Sequence, residues 1–327
     1  MCRFYFPAQY CSHISRPDEC NLHIFGFMHR CKACTVIKLV QRMKLAQRMV
    51  LGYYRSKFRA MERISPRKAA ESAFRLFCTP FVKLRIDTPP VFAHAEKRHF
   101  NFHGNPISGF YMKAPQPNGR CILIVHGFNS GSYRFADYAT ALLQLGYDVQ
   151  AYDAPAHGTS GGKYITALLY RDMIVHIVKQ YGPFHGIMAH SLGGLATALA
   201  AEVLQRPEMR IVLIAPATET TTAMQHYFKM VQLSPRLQPF IAQIIENLAH
   251  RPAEWFSVNR AVSTFKNPVL WLHDELDNLC PYLDTAPTRN SQLDNIQFVT
   301  TKGLGHSGIY RDKANQQRII EFLTARA

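Results

Sequence analysis

The sequence predicts an α/β fold with a mostly parallel, doubly wound sheet, a helical lid and an N-terminal helical extension. Short apolar runs recur between residues 121 and 300, and each one leads into a loop rich in glycine, proline or polar residues. Helical stretches such as residues 195–204 lie between these runs. Parallel strands joined by crossover helices produce this alternation. A concentration of basic residues in the first hundred positions marks the extension.

Short apolar runs of this kind are expected in a sheet that helices cover on both faces. The predicted strands are residues 121–125, 147–152, 186–188, 210–215, 268–273 and 296–300. The chain has 327 residues, of which 47% are hydrophobic and 18% charged, which excludes a disordered polypeptide. It is long enough for one α/β domain with additions.

The pentapeptide at residues 189–193, Ala-His-Ser-Leu-Gly, stands where a strand must turn into a helix. Ala189 and Gly193 are small residues two positions either side of Ser191, as a sharp strand-to-helix turn requires. Such a turn presents the serine hydroxyl at a helix N-terminus, which favours a nucleophile. The alternative is that Ser191 only caps the helix beginning near Leu192.

Three loops after other predicted strands carry groups that would complete this chemistry. Phe128 follows the strand at 121–125, and its backbone N–H, together with that of Leu192, could donate to a developing oxyanion. His306 follows the strand at 296–300 and is the candidate base, since imidazole titrates near neutral pH. Asp277 follows the strand at 268–273 and would orient that imidazole.

Other polar residues in these loops have simpler explanations. Asp274 and Glu275 are close alternatives to Asp277 for the acidic role. His126, His157 and Asp153 are interpreted as structural residues of their loops. The remaining carboxylates considered, Asp172, Asp284 and Asp294, are expected on the solvated surface.

Together these motifs, from about residue 110 to the C-terminus, resemble the α/β-hydrolase superfamily. Within it, the chain resembles bacterial serine hydrolases of the monoglyceride-lipase and serine-aminopeptidase-like group. The resemblance implies an α/β-hydrolase fold over residues 98–327. It also implies Ser191, Asp277 and His306 as the catalytic residues, with oxyanion donors at Phe128 and Leu192. No metal and no organic cofactor is expected.

The expected activity is hydrolysis of a carboxylic ester or related acyl bond of a small molecule through an acyl-serine intermediate. Amide, thioester and carbon–carbon bond hydrolysis remain alternatives, because the same triad serves all of them. A non-catalytic, membrane-associated binding protein on this fold is the alternative from another class.

A lid is expected at about residues 217–262, because some fifty residues separate two predicted strands there. Apolar residues at helical spacing predict helices over residues 220–230 and 237–248. These helices would form an apolar pocket for an acyl or alkyl group over Ser191, or pack on the core.

The formal net charge of +16 belongs mostly to the first 98 residues, where 19 Lys and Arg face 6 Asp and Glu. Residues 35–97 are therefore predicted as a basic helical extension, with helices over 35–64 and from Ser65 to about Phe77. The apolar stripe predicted for the first helix is Val36, Leu39, Val40, Met43, Val50 and Tyr54. It would pack on the domain or lie on an anionic membrane surface. Nucleic-acid binding is not expected, since no recognisable module accompanies the charge.

Residues 1–34 are predicted as a disordered tail. Five of the 8 cysteines lie there, and Cys31 and Cys34 have a spacing that leaves a metal site as an alternative. No export signal and no uninterrupted apolar run of about 18 residues is recognised. The expected location is the cytoplasm, with peripheral contact at the inner membrane surface as the alternative tied to residues 35–64.

Overall fold

The fold is known from a computed structural model that describes residues 45–81, 87–291 and 293–325. The predicted tail at residues 1–34, the metal alternative at Cys31 and Cys34, and positions 35–44 of the predicted helix lie outside the described residues.

The central sheet has eight strands in the order β1-β2-β4-β3-β5-β6-β7-β8. The strands are β1 (Glu96–Phe102), β2 (Asn105–Met112), β3 (Cys121–Val125), β4 (Asp148–Tyr152), β5 (Gly186–His190), β6 (Arg210–Ile214), β7 (Val269–Asp274) and β8 (Ile296–Thr301). β2 pairs antiparallel with β1 and with β4, and every other neighbouring pair is parallel. The predicted mostly parallel α/β sheet is confirmed.

The hairpin of β1 and β2 is a feature that the sequence interpretation missed. Phe102 pairs with Asn105, so His103 and Gly104 form a two-residue turn, with φ values of 48° and 74°. Positive φ at both positions is the geometry of the tight hairpin turn that matches strand twist. The sheet therefore begins at Glu96, two residues before the predicted domain start.

Helices flank the sheet, and three of them precede its first strand along the described chain. They are α1 (Leu45–Ile64), α2 (Pro66–Phe77), α3 (Pro90–Ala93), α4 (Ala136–Gln144), α5 (Ala167–Tyr181), α6 (Leu192–Leu204), α7 (Thr220–Val231), α8 (Gln238–Ala249), α9 (Val258–Val262), α10 (Ala286–Arg289), α11 (Gly305–Gly308) and α12 (Lys313–Thr324). The two helices predicted between β6 and β7 correspond to α7 and α8.

The core lies on both faces of the sheet, as the alternation along β3 illustrates. Ile122 and Ile124 pack in the cluster that contains buried residues of α4 and α12. Leu123 and Val125 pack in a separate cluster with residues of α5 and α6. Because successive strand side chains point to opposite faces, a sheet buried on both sides needs apolar residues at every position.

α1 packs against α2 and α7 through Leu51, Tyr54 and Phe58, so the predicted stripe is right at Tyr54 and wrong at Val50. Leu51 and Phe58 are buried there, whereas Val50 is 51% exposed. Arg55 fixes the contact, because its Nε and Nη2 donate to the carbonyl oxygen of Met230 at 3.2 and 2.7 Å. Among the described residues, no helix combines the length and apolar character needed to span a bilayer.

A second apolar strip on α1 faces solvent. Its members are Leu45, Met49, Val50 and Tyr53, and all four are more than half exposed. Basic residues outnumber acidic ones along the same helix. α1 therefore combines a packed stripe with an exposed strip that is apolar and flanked by positive charge.

α2 begins where the sequence predicts. The Ser65 hydroxyl accepts a hydrogen bond from the Lys68 amide at 3.4 Å, and Pro66 occupies the first helical position. Ala69, Ala70 and Ala73 are fully buried. Small side chains along one face let α2 approach the helices between β6 and β7 closely, so the extension is part of the folded core.

Candidate active site

Ser191 occupies the sharp turn between β5 and α6, with φ 54° and ψ −122°. A non-glycine residue with positive φ is strained, and the strain persists only where surrounding structure enforces it. Here the Ser191 amide donates to the Ile214 carbonyl at 3.1 Å, while the Ser191 carbonyl accepts from Gly194 at 2.9 Å and Ala217 at 3.0 Å. The turn is therefore held by β6 and by its own helix.

The small residues around Ser191 are required by close packing. A Cβ on Gly193 would overlap the carbonyl oxygen of His126, and one on Gly194 would lie 2.7 Å from Pro216 Cβ. Gly127 is constrained from the other side, since its Cβ would lie 2.8 Å from Ser191 Cβ. Ala189 is fully buried, and its single methyl group fits the core beneath the turn.

A chain of two hydrogen bonds joins Ser191 to His306 and His306 to Asp277. Ser191 Oγ lies 3.0 Å from His306 Nε2, and His306 Nδ1 lies 2.7 Å from Asp277 Oδ2. A carboxylate can only accept, so Nδ1 carries a proton and, in the neutral ring, Nε2 is free to accept from the serine. The loops after β5, β7 and β8 bring these residues together at the carboxyl edge of the sheet.

Asp277 is held in place by its second oxygen. Asp277 Oδ1 accepts from the amides of Leu279 at 2.8 Å and Cys280 at 2.9 Å. His273 lies beneath it and donates through Nε2 to the Cys280 carbonyl at 2.8 Å. Burial lowers the pKa of His273, so this ring is neutral and the negative charge of Asp277 faces His306.

The two alternative carboxylates have other partners. Asp274 accepts hydrogen bonds from Thr301 Oγ1 at 2.8 Å and from the Leu304 amide at 3.0 Å. Burial raises the pKa of Asp274, but these and other hydrogen bonds outweigh it and hold the pKa below its ordinary value. Asp274 thereby fixes the loop that carries His306. Glu275 pairs with Lys302 at 3.3 Å on the surface.

His126, His157 and Asp153 bind backbone and hydroxyl groups of their loops, in agreement with a structural role. His126 Nε2 accepts from the Ala154 amide at 2.9 Å, and His157 Nε2 accepts from the Asn129 amide at 3.2 Å. Burial lowers the pKa of both histidines, to about 4 for His157. Asp153 accepts from Ser132 and Thr159.

The candidate oxyanion donors flank the serine. Phe128 and Leu192 both line the cavity that contains Ser191. Within the described ranges, neither backbone N–H donates a hydrogen bond to another group of the chain. Amides left unpaired beside a nucleophile are available to an oxygen of a bound molecule.

His190 is a site residue that the sequence interpretation missed. Its Nε2 donates to the His306 carbonyl at 3.1 Å, and the two rings contact each other with centroids 4.8 Å apart and planes tilted by 47°. Burial lowers the pKa of His190 to about 3, so the ring stays neutral. The sequence gives one signal for this role, which is that His190 directly precedes Ser191. The end of β5 lies beside the loop that carries His306, so a residue at this position can contact that loop.

Cys280 also lies beside the nucleophile. Cys280 and Ser191 line the same cavity, and burial raises the pKa of the Cys280 thiol. Asp277, Cys280 and His306 each place one potential metal ligand within 4.8 Å of the others. Two of these three side chains are already paired with each other, and this pairing favours a proton relay over a metal site.

A cavity of about 1390 Å³ opens above Ser191. Its cap side is mostly apolar and is formed by residues of α2, α7, α8 and the segments after them. These include Phe74, Phe77, Phe81, Met224, Tyr227, Met230, Ile245, Leu248 and Phe256. Asp284, which was expected on the solvated surface, is partly exposed and also lines this cavity.

Part of the candidate site lies in a region of the chain that matches a protein-family model. Residues 116–263 match the family described as serine aminopeptidase, S33. That match includes Ser191 but ends before Asp277 and His306. No curated protein sequence matches the chain.

Several solved structures share the fold. A Pyrococcus furiosus esterase aligns with a TM-score of 0.55 and 20% identity, covering 75% of this chain and 97% of its own. A Paleococcus ferrophilus monoacylglycerol lipase aligns at 0.50 and 22% identity, covering 66% and 98%. The thioesterase domain of the curacin biosynthetic pathway aligns at 0.50 and 15% identity, covering 70% and 98%. At these identities the likenesses establish the architecture of the chain.

Proposed function

We propose that the chain, which has the fold of the α/β-hydrolase superfamily, is a serine hydrolase. It cleaves a carboxylic ester or related acyl bond through an acyl-Ser191 intermediate. The observation that carries the proposal is the pair of hydrogen bonds from Ser191 to His306 and from His306 to Asp277. Ser, Asp and His occur in that order along the chain, as in other enzymes of this fold.

In the acylation step, Ser191 Oγ attacks the substrate carbonyl carbon while His306 Nε2 takes the hydroxyl proton. Asp277 stabilises the imidazolium that forms and keeps its ring oriented. The carbonyl oxygen becomes an oxyanion, which accepts from the N–H groups of Phe128 and Leu192. The tetrahedral intermediate collapses as His306 gives its proton to the leaving alcohol.

Deacylation repeats these steps with water. His306 takes a proton from a water molecule, whose oxygen attacks the acyl carbon of the Ser191 ester. The second tetrahedral intermediate uses the same two amide donors and collapses when His306 returns the proton to Ser191 Oγ. The carboxylic acid leaves, and the serine, imidazole and carboxylate recover their initial protonation states.

The lining of the cavity favours an acyl ester over a peptide with a free amino terminus. An aminopeptidase needs a carboxylate for the substrate's ammonium group, because an unpaired buried charge is costly. Asp277 and Asp284 are the acidic residues among those that line the cavity. Asp277 is engaged by His306, and Asp284 interacts with another group of the chain. The apolar side chains of the cap suit an acyl group instead.

Labelling with a fluorophosphonate tests the proposal directly. Ser191 should be modified, as located by peptide mass spectrometry, and Ser191→Ala should abolish both labelling and hydrolysis of p-nitrophenyl butyrate. Ser307→Ala provides the control, because this nearby serine has no part in the relay. An unlabelled wild-type protein would indicate the alternative class, a non-catalytic binding protein.

We also propose that the exposed strip on α1 makes peripheral contact with an anionic membrane surface on the cytoplasmic side. Apolar residues flanked by Lys and Arg suit such an interface. Free thiols at Cys78, Cys121 and Cys280 are typical of a reducing compartment. Met49→Glu with Tyr53→Glu should abolish cosedimentation with phosphatidylserine vesicles at low salt. Leu145→Glu, at an exposed leucine elsewhere, is the control.

A further inference from the structure

We propose that the N-terminal extension forms part of the acyl-chain site, with Phe74, Phe77 and Phe81 binding the hydrocarbon chain of a medium- to long-chain acyl ester. These residues would set the preferred chain length. The inference rests on the proposed ester hydrolysis and adds the substrate class and the residues that select it.

The extension lines the candidate site, and the size of the cavity suits a long acyl chain. Phe74 and Phe77 on α2, and Phe81 after it, line the same cavity as Ser191 and His306. The cavity volume of about 1390 Å³ exceeds the roughly 300–1,000 Å³ of a usual small-molecule pocket. A short acyl group would leave much of this apolar space unfilled, whereas a long chain would occupy it.

Phe74, Phe77 and Phe81 form an aromatic wall of the cavity. This wall is held against α7, one of the helices between β6 and β7. The Phe77 ring packs on Tyr227, with ring centroids 5.1 Å apart. The Tyr227 hydroxyl donates to the Ala73 carbonyl at 2.9 Å, one turn before Phe77. Aromatic side chains held in this way form a fixed surface for a hydrocarbon chain, so they can discriminate chain lengths.

A backbone hydrogen bond joins the end of α2 to Ile165, which also lines the cavity. The Cys78 carbonyl accepts from the Ile165 amide at 2.8 Å. Phe81 is 55% exposed and lines the cavity, so it stands where the cavity meets solvent. From Phe74 to Phe81 the extension thus follows the cavity from its interior to its opening.

These aromatic residues lie outside positions 116–263, which match the family model. The wall is therefore supplied by a part of the chain that the family resemblance does not cover. Each methylene buried against it should raise kcat/KM by up to about fourfold, so preference for long chains should accumulate along the wall.

The kinetic test compares p-nitrophenyl butyrate, octanoate and dodecanoate below their aggregation limits. Wild-type kcat/KM should rise with chain length. Phe74→Ala with Phe77→Ala should reduce the ratio of dodecanoate to butyrate by about tenfold or more, equivalent to lost contact with about two methylenes. Phe81→Ser, at an exposed position where folding is not at risk, should reduce the ratio in the same direction. Phe58→Ala is the matched control, since Phe58 is buried in the extension outside the cavity and should leave the ratio unchanged.

A binding measurement separates this inference from the proposed function. Dodecanoate binding to Ser191→Ala, followed by calorimetry, needs no turnover, and adding the Phe74 and Phe77 substitutions should weaken it about tenfold. Loss of this affinity would support the acyl-chain site even if Ser191 proved inert. No binding by dodecanoate, or equal affinity and an equal chain-length ratio with and without the aromatic residues, would overturn it.

Discussion

The backbone N–H of Phe81 donates a hydrogen bond to the side-chain oxygen of Asn129 across 2.9 Å. Asn129 directly follows Phe128, the candidate oxyanion donor, and its own amide donates to His157 Nε2 at 3.2 Å. The conformation of the loop after β3 therefore depends on contacts with the N-terminal extension as well as with the loop after β4. The extension and the candidate site form one connected structure.

Truncation should separate the parts of the extension by their effects. Deleting residues 1–34 should leave kcat on p-nitrophenyl butyrate within about twofold, since chain termini commonly tolerate truncation. Deleting residues 1–64 also removes α1 and uncovers the buried faces of α2 and α7. The melting temperature should then fall by several degrees, as each kcal/mol is worth roughly 2–4 °C at about this size. Calorimetry and initial rates on both truncated proteins provide the measurements.

An unchanged melting temperature after removal of residues 1–64 would contradict the packing of Leu51 and Phe58. Loss of butyrate turnover in the 1–34 deletion, with the fold intact by circular dichroism, would place part of the site in the tail.

Asp277→Asn should cost the greatest activity among changes at the three neighbouring acids. An amide at this position no longer stabilises the imidazolium and can favour the wrong tautomer of His306, which lowers kcat by about 10⁴-fold in a comparable triad. Initial rates on p-nitrophenyl butyrate measure the loss. Glu275→Gln serves as the control and should stay near wild type, because Glu275 pairs only with Lys302 at the surface.

Asp274→Asn should act differently, by loosening the loop that carries His306. Its main effect should be a lower melting temperature, since Asp274 accepts from Thr301 and Leu304. A loss of turnover larger than that of Asp277→Asn would mean that the acidic residue is misassigned.

Gly193→Ala should damage the nucleophile turn. The added methyl group would meet the backbone of His126 and Val125, which cannot move as a flexible side chain could. We expect fluorophosphonate labelling to slow by more than about tenfold, together with a lower melting temperature. Gly52→Ala is the contrasting change. It has open space around its Cβ within α1 and should stabilise the protein by about 0.5–1 kcal/mol. Similar labelling rates in both variants would contradict the close packing at Gly193.

Stability should fall as the pH drops from 7 to 5. Burial lowers the pKa to about 4 for His157 and about 3 for His190. The unfolded chain protonates these rings near pH ~6.5, so it binds more protons than the folded protein over this range. The free energy of unfolding should then decrease by about 2 kcal/mol for each such histidine. Urea titrations at both pH values measure the change.

Between pH 7 and pH 5, the free energy of unfolding of His157→Gln should decrease by about 2 kcal/mol less than that of the wild type. This difference does not depend on how the substitution changes stability at pH 7. His94→Gln, at an exposed histidine, should leave the slope unchanged. Equal slopes in the wild type and in His157→Gln would show that His157 is not the buried neutral ring described above.

The parallel part of the sheet and the grouping of Ser191, Asp277 and His306 could be predicted because both follow local rules. Buried parallel strands are continuous apolar runs, and the groups that follow them meet at one edge of the sheet. The choice of Asp277 over Asp274 was harder, because Asp274 ends β7 and Asp277 follows only three positions later. The hydrogen bonds of the folded loop, and not its composition, direct Asp277 towards His306.

The contribution of α2 to the cavity could not be predicted from local pattern. Its alanine face indicates close packing but does not identify the partner, which lies about 150 residues away at Tyr227. The hairpin of β1 and β2 was missed because its strands are polar on the outer face and its turn residues are His103 and Gly104. Val50 was misplaced because α1 carries apolar residues on two faces.

The cap over Ser191 has a further consequence for biosynthesis. The hydrogen bond from Arg55 to the Met230 carbonyl joins residues 175 positions apart. During synthesis the apolar faces of α1 and α2 therefore leave the ribosome long before α7 exists to cover them, and they stay exposed meanwhile. Until most of the protein has been translated, α1 and α2 can cover these apolar faces only against each other.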